Sequence, residues 1–197
     1  MQHQRLLLFC LGLLAFSYLA AQEANDALLH FNQARIDHQQ KAMLTLGGWA
    51  VVNIATGLSL RNSADGSTKH FHEMNALWNV VNLGIAGLGY YAASREDPTA
   101  LATFGTIQEH YKFEKILLFN AGLDVGYMLG GLYLTERAKR PGVNADQLKG
   151  FGNSIMLQGG FLFVFDLVNY FISSGRTGDL KLLLGRTSEG IGMTLTF

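Results

Sequence analysis

The chain has 197 residues, of which 49% are hydrophobic and 15% charged, and 15 Lys+Arg balance 15 Asp+Glu. A soluble domain carries about 25% charged residues, so long stretches here have been cleared of charge, as in a membrane protein. Zero net charge without a basic block excludes nucleic acid as the default partner, and a single cysteine, Cys10, excludes a disulfide framework or a CxxC pair.

Arg5 precedes an apolar run over residues 6–19, and Ala20-Ala21 is followed by Gln22 and a polar stretch. This order of basic, apolar and small residues predicts a signal peptide over residues 1–21. Leu19 is not the small residue preferred three positions before such a cut, which keeps an uncleaved anchor as the alternative. Cys10 stands too early to accept a lipid. Residues 22–41 hold Leu28, Leu29, Phe31 and Ile36 in a polar, proline-free setting with His30 and His38, and read as a periplasmic amphipathic helix leading into the first span.

Four apolar stretches follow, over residues 42–60, 74–93, 116–135 and 152–173. About 20 helical residues cover a bilayer core, so each stretch is near spanning length. The expected fold class is an all-α membrane protein: a four-transmembrane-helix bundle over residues 42–173. Turn formers at Asn62-Ser63-Ala64-Asp65-Gly66-Ser67 separate the first pair. Between the second and third spans, Pro98 is expected to begin a short external amphipathic helix bearing Leu101, Phe104, Ile107 and Tyr111. Residues 174–197 form an extracytoplasmic tail, in which residues 179–185 and 191–197 flank a turn and read as a β-hairpin.

Loop charge sets the expected orientation. Arg61, Lys69, Arg137, Lys139, Arg140 and Lys149 fall in the loops over residues 61–73 and 136–150, against Arg95, Lys112 and Lys115 in residues 94–115. The first two loops are therefore expected in the cytoplasm, with the mature N-terminus and the C-terminus outside a bacterial inner membrane.

Every span also carries polar residues. Helical periodicity puts His72, Asn75, Asn79 and Asn82 on one face of the second; the others supply Thr45, Asn53 and Thr56, then Asn120 and Asp124, then Gln158, Asp166, Asn169 and Ser173. An unpaired polar group in hydrocarbon costs several kcal/mol, so these groups are expected to face inward and satisfy one another. They are either interhelical hydrogen-bond glue or the lining of a hydrated cavity in which Asp124 and Asp166 hold a cation, a proton or a small polar ligand. Gly122, Gly126 and Gly130, at four-residue spacing, are candidates for close helix packing, with a helix of this chain or of another copy.

No catalytic or metal constellation is expected. His70 and His72 are two apart and point to different sides of a helix, and the topology sets Glu109 and His110 across the membrane from them. GxSxG, HExxH and phosphate-loop patterns are absent from the chain. Neither enzyme activity nor a cofactor is expected. Trp49-Ala50-Val51-Val52-Asn53 recurs as Trp78-Asn79-Val80-Val81-Asn82, with Gly57 and Gly87 downstream, as in an inverted pair of spans.

The signal ending Leu19-Ala20-Ala21-Gln22, the segment over residues 49–57 and that over residues 72–82 resemble an uncharacterised family of small four-span envelope proteins from Bacteroidota. That resemblance implies a bacterial membrane location and assigns no activity. The expected role is structural or accessory, with the lipid bilayer and a protein partner or homo-oligomer as partners. The alternative is a small oligomeric carrier or channel using Asp124 and Asp166 with Asn53, Asn79, Asn82, Asn120 and Asn169. A continuous polar path from His72 to the outer side would favour transport; interlocked side chains would favour a scaffold.

Overall fold

The computed structural model describes residues 2–180, with side chains from Gln22 onward apart from Ala24. Four helices follow one another: α1 (Gln2–Leu60), α2 (Gly66–Ser94), α3 (Thr103–Arg137) and α4 (Ala145–Gly175). No strand occurs among the described residues. The boundaries follow local chemistry. Gly66 takes a positive φ of 54° where the turn enters α2, and Gly142 takes 77° after Pro141 in the turn before α4. Asn144 then caps α4, its side chain accepting from Gln147 N at 3.1 Å, with Asp146 in the first turn.

Pro98 does not begin a helix. Asp97 Oδ1 accepts from Thr99 N at 2.8 Å and Thr99 Oγ1 at 2.6 Å, closing a turn around the proline. These two bonds hold the Asp97 carboxyl below its ordinary range. The expected external helix is instead the first turns of α3, which runs unbroken from Thr103 to Arg137. The amphipathic segment before the first span is likewise continuous with α1, which passes through residues 20–22 without interruption.

Short connections make successive helices antiparallel. α1 packs along α2, α2 along α4, and α4 along α3, while α1 meets α3 only slightly. The α3–α4 contact is backbone to backbone. A Cβ on Gly131 would lie 2.6 Å from Gly152 O, and one on Gly152 2.5 Å from Gly131 O. Gly122, Gly126 and Gly130, the glycines singled out by spacing, have no neighbour near a Cβ position and face outward. Within this chain the close approach to α3 is therefore made one residue further round the helix, at Gly131.

Polarity is inverted relative to a soluble bundle. Asn53, Asn75, Asn79, Asn82, Asp124, Ser154, Gln158 and Asp166 are buried, whereas Leu88 is 74% and Phe119 67% exposed. An apolar exterior around a polar interior suits a solvent that cannot hydrogen-bond. Among the described residues, three helices are long and apolar enough to cross a membrane: Asn25–Leu60, Thr103–Arg137 and Ala145–Leu180. This corrects the expected count of four. α2 falls short because Asn75, Asn79 and Asn82 dilute it, although Leu77, Val80, Val81 and Leu88 make its outer face as apolar as its neighbours'.

The start of the expected β-hairpin is helical. Residues 177–180 form a further helical turn after a break at Arg176, and Leu180 packs on Phe31 of α1. The rest of that segment, residues 181–197, lies outside the described residues.

Candidate functional site

The buried polar groups form three tiers along the bundle. On α4 they run from Ser154 to Ser173, about 28 Å along the axis, close to the thickness of a bilayer core.

Nearest the α1–α2 and α3–α4 turns is a closed ring of amides. Trp49 Nε1 donates to Gln158 Oε1 at 2.9 Å, Gln158 Nε2 to Asn75 Oδ1, and Asn75 Nδ2 to Asn53 Oδ1 at 2.7 Å. Asn53 Nδ2 completes it by donating to Trp49 O at 2.8 Å. Three helices are thereby tied together, and the indole of Trp49 stacks on Phe161 at 3.9 Å between centroids. Asn79 donates to Asn75 O, and Asn82 to Asn79 Oδ1, carrying the network towards the bundle centre. His72 is not part of the ring: it is half-buried, and its Nδ1 has no partner among the described residues. His70 Nδ1 pairs locally with Glu73 at 2.9 Å.

The second tier is the acid pair. Asp124 of α3 is 2% exposed and Asp166 of α4 5%, and their carboxyl groups are within hydrogen-bonding reach of each other. Carboxylates only accept, so a hydrogen bond between two of them requires a proton on one. Asp124 Oδ2 has no partner among the described residues. Beside the pair lies a cavity of about 290 Å³, whose polar side is completed by Asn82 and Asn120. Its remaining wall is carbon and aromatic, with Trp78 and Tyr127 edge to face at 4.9 Å. Four of the residues singled out in the sequence thus converge here, from α2, α3 and α4.

The third tier, at the α2–α3 end, was not legible as a site. Arg176 Nη2 donates to His38 Nδ1 at 2.8 Å, which leaves His38 Nε2–H to donate to Asn169 Oδ1 at 2.9 Å. Buried Arg35 donates to Glu96 at 2.6 Å, and Asn32 and Thr106 exchange bonds of 3.0 and 3.1 Å. His110 Nε2 lies 3.2 Å from Glu114 Oε1, though not aligned for a hydrogen bond. Arg35, Glu114 and Arg176 escaped notice because charges flanking a span usually sit in the headgroups, and His110 drew attention only as a metal donor. One signal was available: Thr106, His110 and Glu114 repeat every four residues and continue the stripe of Leu117, Ala121 and Asp124 that faces inward.

No three His, Cys, Asp or Glu come together as a metal site among the described residues. His110 lies at the opposite end of the bundle from His70, near the α3 start rather than the α2 start.

A model of a family of unknown function, DUF6992, matches residues 45–167. The matched stretch contains the amide ring, the acid pair and all of the cavity lining but Ala42 and Met43, and stops short of Asn169 and Arg176. No curated protein matches, and no solved structure matches.

Proposed function

The chain belongs to the DUF6992 family, and from that premise we propose that it is an integral membrane protein with a structural or accessory role, most simply as a subunit of an envelope complex. The observation that carries this reading is the closed ring of Trp49, Gln158, Asn75 and Asn53. Its donors and acceptors are spent on holding α1, α2 and α4 together. Side chains interlocked in this way favour a scaffold over a conduit. The polar face of α2, once hidden by the ring, leaves an apolar outer face that suits the bilayer beside the three longer apolar helices.

The test is purification from native membranes in nanodiscs, with identification of whatever accompanies the protein, for wild type and Gln158→Leu. A stoichiometric protein partner or a homo-oligomer is expected for wild type. Gln158→Leu leaves Trp49 Nε1 and Asn75 Oδ1 unpaired, at about 1–3 kcal/mol each, and is expected to lower thermal stability and recovery of that assembly. A monomer without a partner, unaffected by Gln158→Leu, would refute the role.

A specific observation favours a second reading: the buried acid pair opens on a cavity, with one carboxylate oxygen unused. On this reading Asp124 and Asp166 bind a cation or proton within the bundle. The location proposed for either reading is a bacterial inner membrane, with the α1–α2 and α3–α4 turns in the cytoplasm, supported by Arg61, Lys69, Arg137, Lys139 and Arg140 in and around those turns.

A further inference from the structure

We propose that the cavity beside Asp124 and Asp166 takes a lipophilic organic ammonium ion that enters sideways from the bilayer, between α2 and α3. The inference rests on the second reading above and names its ligand class.

Charge comes first. A shared proton leaves the pair with one negative charge, and among the described residues no Lys, Arg or His lines the cavity to balance it. An isolated charge so buried is costly, so a cation in the cavity is favoured.

The walls select among cations. A metal ion needs four to eight oxygen, nitrogen or sulfur ligands, and beyond the two carboxyl groups the lining offers mainly the amides of Asn82 and Asn120. Trp78, Phe113, Tyr127 and Phe165 supply ring surface instead. An alkyl- or arylammonium matches both parts: its N–H groups donate to Asp124 Oδ2 and the shared pair, its charge is attracted to ring faces, and its hydrocarbon packs on carbon. At about 290 Å³ the cavity sits at the small end of ligand pockets.

The route follows from the packing. α2 and α3 are not among the helix pairs in extensive contact, and the residues bordering the cavity between them, Val81, Ile85, Ile116 and Leu123, are exposed on the apolar surface. A ligand dissolved in lipid therefore meets the opening directly, whereas a hydrated ion would have to shed its water first.

The experiment is equilibrium dialysis of radiolabelled 2-phenylethylamine against the full-length protein in nanodiscs, with empty nanodiscs as the blank. Saturable binding of one amine per chain is expected, with no competition from sodium or from neutral 2-phenylethanol. Asp124→Asn with Asp166→Asn should weaken binding about ten- to hundredfold, as loss of a charge-assisted hydrogen bond implies. Ile116→Trp, at an exposed rim position that leaves both acids intact, should weaken it as well, which guards against misfolding of the double variant. Binding no greater than to empty nanodiscs overturns the proposal. Under that result, acid-dependent binding of radiolabelled sodium or potassium would keep the cation-site reading while removing the amine; absence of all three ligands would remove both. Amine binding untouched by either variant also overturns the proposal, because the ligand would then lie elsewhere.

Discussion

Asp124 and Asp166 meet inside a bundle whose described residues offer no basic side chain in the cavity, so the chemical nature of a replacement matters more than its size. Asparagine at position 124 keeps the shape and brings an N–H₂ that donates to the Asp166 carboxylate without a shared proton. Leucine there offers no donor and leaves the Asp166 carboxyl buried without that partner. Asp124→Asn is therefore predicted to match or exceed wild-type thermal stability in detergent, while Asp124→Leu is predicted to lose about 1–3 kcal/mol. Thermal unfolding of the two variants side by side checks this, and equal melting would show that the pair makes no bond worth keeping. Both acids were marked in the sequence because acids are expensive at mid-span. That they meet each other was not readable, since Asp124 and Asp166 lie on different helices and nothing in the chain encodes the rotation of one helix against the other.

Helix contacts in lipid lack a hydrophobic drive between the helices, so they depend on how closely the backbones approach. α3 and α4 approach through Gly131 and Gly152, each within about 2.6 Å of where the other's Cβ would meet a carbonyl oxygen. Gly131→Ala is predicted to push α4 away and to cost about 1–3 kcal/mol, the range for overpacking. Gly126→Ala, which meets open space, should be neutral or gain up to about 1 kcal/mol from helix propensity. Resistance to unfolding in SDS, compared for these two alanines, separates the cases; a larger loss at Gly126 would mean that its outward face is covered by another chain. Four-residue spacing drew attention to Gly122, Gly126 and Gly130, but spacing defines a face without saying which way it points. Pro98 shows the same limit: a proline suits both a helix start and a turn, and the Asp97–Thr99 bonds decided for the turn.

For the whole molecule, the turns at one end and the α2–α3 connection at the other should lie on opposite sides of the membrane. In a Cys10→Ser background, Thr99→Cys is predicted to react with a membrane-impermeant maleimide added outside intact cells, and Ser63→Cys only after the cells are broken. The reverse pattern would invert the proposed orientation.

Helices long and apolar enough to span a membrane, the helical class, the approximate place of each helix and the identity of its polar residues were all legible in the chain, because low charge and 3.6-residue periodicity are one-dimensional properties. The helix count judged able to span was overestimated, since α2 has the length but carries its asparagines within the apolar run. Sorting the polar residues into an amide ring, an acid-lined cavity and a cluster around Arg35, His38 and Arg176 needed the tertiary structure. Hydrogen bonds such as Trp49 to Gln158 join residues more than a hundred positions apart, and their existence depends on helix rotation, axial offset and neighbour order, which arise only when the four helices pack together.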